Sequence, residues 1–331
     1  MNQKELFNQQ YADLNPEQKL AVDTIEGPVL VIAGPGTGKT QILGARIGKI
    51  LLETDTDPGN ILCLTFTDAG AVTMRRRLVS FIGPEAYKVN IFTFHAFCND
   101  IIQENLSHFE KTSLDPVSEL RQIQLLRELV DGFPQNHPLK RYRGDAYYEI
   151  KNLRSLFSTM KQEGWTAAFI DKKINEYLAD LPNRDEYLYK RAGKGFKKGD
   201  LNQTKFDEQA EYMDKLRAAI HEFDRFQRLM YRENLYDYND MINWVIRAFT
   251  ENGELLRRYQ EKFQYILVDE FQDTSGTQNK LVKLLISFWD KPNVFVVGDD
   301  DQSIFRFQGA NIFNMEEFAN SYEKDLLTIV L

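Results

Sequence analysis

The chain has 331 residues and a net charge of −8, from 41 basic and 49 acidic side chains. A composition of 43% hydrophobic and 27% charged residues, with 19 glycines and 10 prolines, excludes a collagen-like chain, low-complexity disorder and a small disulfide scaffold. Apolar runs are too short to span a bilayer, and no export signal is visible. With Cys63 and Cys98 as the only cysteines, we expect a reduced cytoplasmic protein of about two domains. The negative net charge does not exclude a local basic groove.

The first hundred residues alternate short apolar runs with helical patterns. Strands buried on both faces are predicted at 28–33 (PVLVIA), 61–66 (ILCLTF) and 89–94 (VNIFTF). Helices are predicted over about 39–53, 68–81 and 95–102. Strand, helix and strand in this rhythm are typical of βαβ units, so we expect an α/β fold with a parallel sheet and helices on both faces.

The pattern changes in the middle of the chain. Residues 108–234 show helical spacing and almost no signal for a buried strand. Buried strands return at 265–269 (YILVD) and 293–299 (NVFVVGD), and the final LLTIVL is typical of one more. We therefore predict a discontinuous α/β domain, 1–107 with 235–331, interrupted by an all-helical inserted domain at 108–234.

A glycine-rich turn follows the first predicted strand and opens a helix. Its sequence, AGPGTGKT at 33–40, has the strand–loop–helix context of a phosphate-binding P-loop. Gly36 and Gly38 let several backbone N–H groups point into one cavity, and the helix N-terminus adds partial positive charge. Lys39 can reach the β and γ phosphates, and the Thr40 hydroxyl can hold Mg²⁺. Ala33 stands where the general pattern has its first glycine. The motif predicts binding of a nucleoside triphosphate with Mg²⁺; a chance glycine turn is the alternative.

Acidic residues follow two later strands of the predicted sheet. In VDEFQDTS at 268–275, Asp269 and Glu270 are adjacent, so one carboxylate can reach Mg²⁺ while the other reaches an attacking water. In VVGDDDQ at 296–302, Gln302 can hydrogen-bond a γ phosphate. A solvated acidic strand end and a polar turn are the alternatives. A P-loop in the same sheet favours nucleotide hydrolysis.

Seven segments in this order resemble the UvrD/Rep/PcrA group of superfamily 1 DNA helicases. They are LNPEQKLAV at 14–22, AGPGTGKT at 33–40, TFTDAGAVTM at 65–74, TFHAFC at 93–98, YDYNDMI at 236–242, VDEFQDTS at 268–275 and VGDDDQSIFRFQGA at 297–310. The resemblance implies a RecA-like first motor domain that carries a helical inserted domain. It also implies Mg²⁺-dependent ATP hydrolysis that drives movement 3′ to 5′ on single-stranded DNA, with DNA repair among the family's roles.

The resemblance also assigns residues to the nucleotide. Gln18 matches the glutamine that reads the adenine edge. The ATP-binding loop comprises Gly36, Thr37, Gly38, Lys39 and Thr40.

The family's catalytic roles fall on the later motifs. Asp269 matches the Mg²⁺ carboxylate, Glu270 the residue that polarises water, and Gln302 the γ-phosphate sensor. Gln272 and Asp273 match the pair that couples the nucleotide site to the DNA groove.

Some positions depart from the family pattern. Gln41 replaces a basic residue near adenine. The segment 68–73 differs from the usual TFTNKAA pattern and lacks a DNA-facing lysine, with Asp68, Ala69, Gly70 and Thr73 at the altered positions. Phe305, Phe307 and Gln308 replace the usual Tyr, Trp and Arg. The sequence therefore indicates ATP binding more strongly than DNA contact.

The expected partners are single-stranded DNA and junctions of single and double strands. The predicted DNA-contacting residues are Phe66, His95, Phe305 and Phe307. Stacking on an aromatic ring contributes roughly 1–3 kcal/mol per base and tolerates any sequence, which suits a motor that passes every base. Core packing is the alternative for each phenylalanine, and a structural role is the alternative for His95.

Two polar segments leave alternatives open. The run 190–198 holds five basic and no acidic residues, and it either contacts duplex phosphates or forms a solvated mobile loop. Asp237 and Asp240 in YDYNDMI are predicted to cap a helix rather than to catalyse.

The chain ends in LTIVL, where the family pattern continues into a second RecA-like domain with an arginine that reaches the γ phosphate. We expect an amino-terminal half that hydrolyses ATP slowly and does not unwind a duplex alone. Two other classes remain as alternatives. One is a non-catalytic module that binds a nucleotide or a partner. The other is a small-metabolite kinase, which has no need of Glu270 or of the VGDDDQ amide.

Overall fold

A computed structural model describes residues 3–109, 114–141, 143–193, 195–299 and 312–331. The chain forms two compact units, Met1–Thr112 with Asp240–Leu331, and Ser113–Asn239. No helix in these described ranges is long and apolar enough to cross a membrane.

The first unit contains a six-stranded sheet and helices from both ends of the chain. Its elements before the interruption are α1 (Gln3–Ala12), α2 (Pro16–Asp23), β1 (Val29–Ile32), α3 (Lys39–Glu53), β2 (Ile61–Thr65), α4 (Asp68–Ile82), β3 (Asn90–Thr93) and α5 (Phe94–Glu104).

The second unit contains β4 (Asp115–Pro116), α6 (Glu119–Asp131), α7 (Ile150–Glu163), α8 (Ala167–Asp180), α9 (Gln203–His221), α10 (Phe223–Arg232) and β5 (Leu235–Tyr236). The first unit then resumes with α11 (Tyr238–Glu251), α12 (Gly253–Lys262), β6 (Tyr265–Val268), α13 (Gly276–Ile286), β7 (Val294–Gly298), α14 (Ile312–Ser321) and β8 (Leu327–Val330).

All strands of the large sheet run parallel, in the order β3-β2-β6-β7-β1-β8. The predicted α/β fold with a parallel sheet is confirmed, and each predicted strand lies within a residue or two of its expected bounds. The later strands β6 and β7 lie between β1 and β2, which come from the first 65 residues. Chain segments that are distant in sequence therefore end side by side at one edge of the sheet.

The strands are buried on both faces, which explains their nearly continuous apolar sequences. Val29 and Val31 of β1 face a core cluster that includes Phe81 of α4. Leu30, between them, is also buried and points to the opposite face. On β3 and α5, Phe92 and Phe97 pack with ring centroids 6.2 Å apart. Helices therefore cover the sheet on both sides.

The second unit has a helical core of its own, in which residues such as Leu125, Phe157 and Phe226 are buried. Among its described residues it departs from the all-helical expectation at a short parallel ladder, in which Asp115 pairs with Leu235 and Pro116 with Tyr236, and at isolated antiparallel bridges such as Leu188 with Leu201. The segments where the chain enters and leaves the unit lie side by side, so their backbones pair. Two-residue strands give no periodic sequence signal, which is why the pattern did not reveal them.

We predict that Phe81→Ala lowers the free energy of unfolding by about 3–5 kcal/mol, because it removes a buried ring and leaves a cavity. Phe288→Ala is the matched control, because Phe288 is about half exposed, and it should change stability by less than about 1 kcal/mol. Urea unfolding followed by circular dichroism compares both variants with the wild type. Equal stability of the two variants would contradict the assignment of Phe81 to the core.

Candidate nucleotide-binding site

The loop before α3 is shaped by glycines. Gly36 and Gly38 have φ angles of 78° and 88°, in the left-handed region that side chains with a Cβ rarely adopt. The Thr37 hydroxyl donates to the Gly34 carbonyl at 2.8 Å and closes the turn. Gly38 directly precedes the 15-residue helix α3, so backbone N–H groups at the helix N-terminus face the loop. This arrangement fits a phosphate.

Lys39 begins α3, and its ammonium lies 2.7 Å from the Glu270 carboxylate. The lysine side chain is 11% exposed and the glutamate side chain 36% exposed. The two residues are 231 positions apart in the chain. The pair forms because β1 and β6, which they follow, end at the same edge of the sheet with β7 between them. The structure thus brings together the P-loop cation and the predicted water-polarising carboxylate.

Glu270 is held in an uncommon backbone conformation, with φ 48° and ψ 48°. Left-handed backbone at a residue with a Cβ is strained, and such strain concentrates at functional sites. The conformation lets the chain turn at once from β6 into a short 3-10 helix, Phe271–Asp273. Glu270 therefore projects from a sharp turn rather than from a flexible loop.

Gln272 is fully buried beside this turn. Its amide nitrogen donates to Glu270 Oε2 at 2.9 Å, the same oxygen that receives Lys39. Its amide oxygen accepts the backbone N–H of Asp299 at 3.0 Å, just after β7. Gln272 therefore fixes the direction of the Glu270 carboxylate and links the ends of two strands.

Asp269 lies at the end of β6 and is 9% exposed. Its backbone N–H donates to the Leu64 carbonyl at 2.9 Å, and its carboxylate accepts the Glu270 N–H at 3.0 Å. Burial, followed by the nearby Glu270 charge, raises the pKa of Asp269 to about 6. A cation at this carboxylate would offset the cost of burying its charge. Burial also raises the pKa of Asp273, the last residue of the short 3-10 helix that follows β6.

Thr40 follows Lys39 in the first turn of α3 and is half-buried. Its hydroxyl and the Asp269 carboxylate are the side-chain oxygens that would hold Mg²⁺. Mg²⁺ in nucleotide sites is usually bound by one or two side chains together with phosphates and water. The described residues contain no group of three or more His, Cys, Asp or Glu side chains that could hold a metal ion by themselves.

Gln18 lies beside the P-loop. It is the third residue of α2, where its side-chain oxygen accepts the Asn15 N–H at 3.0 Å and completes a capping box. Its amide nitrogen donates to the Thr37 carbonyl at 2.8 Å. A Cβ at Gly38 would lie 3.1 Å from this nitrogen, so glycine permits the close approach. The residue that the resemblance assigns to adenine thus touches the phosphate loop directly.

The predicted DNA-contacting residues divide into two groups. Phe66 directly follows β2 and is 50% exposed, so the alternative of core packing is wrong for this residue. His95 is half-buried in the first turn of α5. Phe305 and Phe307 lie outside the described residues, as do Gln302, the predicted γ-phosphate sensor, and Gln308, a departure from the family pattern.

The altered segment after β2 forms the start of α4. Thr67 caps this helix, and its hydroxyl accepts the Gly70 N–H at 3.0 Å. Asp68, Ala69 and Thr73 are exposed there. A solvent-facing surface without the family's lysine therefore lies next to Phe66.

The basic run at 190–198 belongs to a short hairpin in the second unit. Leu188 and Leu201 form an antiparallel bridge, and the rings of Tyr189 and Phe196 stack with centroids 3.7 Å apart. The described cationic side chains of this run, Lys190, Arg191, Lys197 and Lys198, are exposed. The run is solvated, as one alternative expected, and its backbone is paired.

Asp237 accepts the Asn239 N–H at 3.0 Å at the start of α11, which confirms the predicted capping role. Asp240 is buried in the first turn of the same helix. Sequence reasoning missed the buried Lys161, whose ammonium lies 2.7 Å from Asp237 within the second unit. A lone lysine on a helix gives no sign of its burial.

We predict that Asp269→Asn stabilises the ligand-free chain at pH 8. The folded-state pKa of about 6 exceeds the ordinary value of 3.8, so the folded state binds the extra proton and loses stability as pH rises from 4 to 6. The gain from the neutral amide should approach roughly 3 kcal/mol above pH 7 and vanish below pH 4. Thermal unfolding across this pH range measures it.

Asp290→Asn is the matched control, because Asp290 is exposed, and it should follow the wild type throughout. An Asp269→Asn variant that is less stable than the wild type at pH 8 would contradict the burial argument.

Comparison with known proteins places this geometry in a family. Residues 14–323 match the UvrD/REP helicase N-terminal domain. The ATP-dependent DNA helicase PcrA of Staphylococcus aureus (strain Mu50 / ATCC 700699) is 32% identical over 315 residues, which cover 93% of this chain and 36% of the relative.

PcrA of Staphylococcus epidermidis (strain ATCC 12228 / FDA PCI 1200) is also 32% identical, over 314 residues that cover 94% of this chain and 36% of the relative. The chain thus spans about a third of the length of these curated relatives. With a match over most of its length, it belongs to the UvrD/REP helicase N-terminal domain family.

Proposed function

We propose that this chain binds and hydrolyses Mg²⁺-ATP as part of a DNA helicase. The observation that carries the proposal is the 2.7 Å contact between Lys39 and Glu270 at the end of the P-loop, with Asp269 adjacent. A cation for phosphate, a carboxylate for Mg²⁺ and a second carboxylate for water make up the division of labour that ATP hydrolysis needs. Membership of the UvrD/REP family supports the same reaction.

The residues act in an order set by their contacts. Phosphate oxygens in the loop compete with Glu270 for the Lys39 ammonium, so nucleotide binding breaks the ion pair. Glu270 is then free to accept a proton from the attacking water, while Gln272 keeps its carboxylate directed. Thr40 and Asp269 would hold Mg²⁺, which would supply positive charge to offset the negative charge of the phosphates. Gln18 reads the adenine edge, and Gln302 senses the γ phosphate.

The wider assignment follows the relatives, which are named as ATP-dependent DNA helicases. We assign 1–107 with 235–331 to a RecA-like motor domain and 108–234 to an inserted domain. The motor moves 3′ to 5′ on single-stranded DNA and acts at junctions with duplex. Phe66, His95, Phe305 and Phe307 contact the strand.

A second RecA-like domain completes the motor, because translocation requires two domains that close on ATP. The 331-residue chain spans 36% of its relatives and should therefore bind ATP weakly, hydrolyse it slowly and leave duplex DNA intact. Strand separation by the purified chain would contradict this part of the proposal.

We predict that Glu270→Gln lowers the rate of ATP hydrolysis by about 10²- to 10⁴-fold, because an amide cannot accept a proton from water. ATP binding should persist, since the substitution frees Lys39 from its carboxylate. Phosphate release and binding of a fluorescent ATP analogue measure the two effects in the same preparation.

Two variants calibrate this experiment. Lys39→Ala should lose nucleotide binding, and Glu261→Gln, at an exposed glutamate, should retain both activities. Unchanged hydrolysis in Glu270→Gln would instead favour a non-catalytic binding module.

We also predict that the chain binds single-stranded DNA with a salt-dependent affinity. The logarithm of the affinity should fall with the logarithm of salt concentration, with a slope of about 0.7 per neutralised phosphate. Phe66→Ala should weaken binding by roughly 1–3 kcal/mol, because it removes a stacking surface. Fluorescence anisotropy with a labelled oligonucleotide measures both.

Phe288→Ala serves as the control. Phe288 is exposed to a similar degree as Phe66. It precedes β7, at the amino ends of the strands, whereas Phe66 follows β2, at the carboxyl ends. A flat salt response, or equal losses in the two variants, would count against a DNA groove beside Phe66.

A further inference from the structure

Arg46 is a buried cationic residue on the helix that follows the phosphate loop. It lies midway along α3, the helix that begins with Lys39, and it is only 1% exposed. Arginine is almost never fully buried without a partner. The contacts that compensate its charge therefore indicate what the side chain is for.

The guanidinium binds the carboxyl end of α2. It donates to the Ala21 carbonyl at 2.7 Å and to the Thr24 carbonyl, and its central carbon lies 4.4 Å from the centre of the Phe295 ring on β7. Within the described residues, its contacts include no carboxylate. Burial lowers the pKa of Arg46 to about 9, so the side chain keeps its charge at neutral pH.

These contacts suit the polarity of α2. The last carbonyls of a helix lack partners within the helix and carry partial negative charge. A cationic donor with several N–H groups satisfies two of them at once, which an apolar side chain of similar volume cannot do. Arg46 thus fixes the end of α2 against α3 and the sheet.

The other end of α2 touches the phosphate loop. Gln18 donates to the Thr37 carbonyl at 2.8 Å, and about one helical turn separates Gln18 from Ala21. A helix of eight residues held at both ends behaves as a rigid bar between these points. Displacement of its carboxyl end therefore displaces Gln18.

We propose that Arg46 is a positioning residue for base selectivity, which holds α2 so that Gln18 meets the adenine edge. The inference rests on the proposed function, in which Gln18 reads adenine. Arg46 lies about two helical turns along α3 from the phosphate loop. It therefore acts through Gln18 rather than on the nucleotide. Its loss should weaken recognition of the base and spare recognition of the triphosphate.

The test compares ligands that share phosphates but differ in the base. Dissociation constants of ATP, GTP and inorganic tripolyphosphate are measured for the 331-residue chain, by competition with a fluorescent ATP analogue in the presence of Mg²⁺. Arg46→Lys keeps the charge but loses the planar set of donors. This variant should bind ATP about tenfold more weakly and tripolyphosphate within about twofold of the wild type.

Arg75→Met is the matched control. Arg75 also donates to backbone carbonyls, but it lies on α4 and its acceptors are Ala86, Val89 and Ile91, in the segment that follows α4. Its loss should lower the melting temperature and leave the ratio of the GTP and ATP constants unchanged. Arg46→Met, which also removes the charge, extends the series.

A double-mutant cycle tests whether Arg46 acts through Gln18. Gln18→Ala should abolish the preference for ATP over GTP, and adding Arg46→Lys should weaken ATP binding by less than about twofold further. Additive losses would overturn the inference. So would an Arg46→Lys variant that weakens all three ligands equally, because that result indicates a structural role alone.

The wild type separates failure of the inference from failure of the proposed function. Equal affinities for ATP and GTP would overturn the inference and leave ATP hydrolysis standing. Absence of binding to ATP, GTP and tripolyphosphate would overturn the proposed function and the inference together.

Discussion

The ion pair between Lys39 and Glu270 depends on the order of strands in the sheet. Because β6 and β7 lie between β1 and β2, a residue that follows β6 meets the helix that follows β1. Separate folding of the two chain halves would leave Lys39 without a carboxylate and Glu270 without a cation. The site is thus a property of the completed sheet rather than of either half.

The two carboxylates beside this ion pair differ in how their charges are stabilised. Lys39 and Gln272 both donate to one oxygen of Glu270, whereas Asp269, the adjacent residue, is buried and carries a raised pKa. Strain at the Glu270 backbone and burial of the Asp269 charge both cost stability in the free protein. In the proposed function, Mg²⁺ at Asp269 would offset the cost of burying that charge, and a phosphate would replace Glu270 as the partner of Lys39.

Much of the fold could be predicted because parallel strands buried on both faces give continuous apolar runs, as Val29–Ile32 and Tyr265–Val268 do. The P-loop was equally visible, since its glycines occupy left-handed positions that other residues rarely adopt. Arg46 and Gln272 could not be placed in the same way. Their partners are backbone atoms of Ala21 and Asp299, and a carbonyl or N–H group has no signature in the sequence.

The short ladder between β4 and β5 joins the first and last segments of the second unit. Asp115 and Leu235 are paired, so the chain between them, residues 116–234, starts and ends at neighbouring positions. The entropic cost of bringing the two ends of a chain segment together grows only slowly with the length of the segment. Insertions or deletions among the helices of this segment can therefore accumulate while Asp115 and Leu235 stay paired. The helices can change in length during evolution, and the distance between the two ends of the segment stays the same.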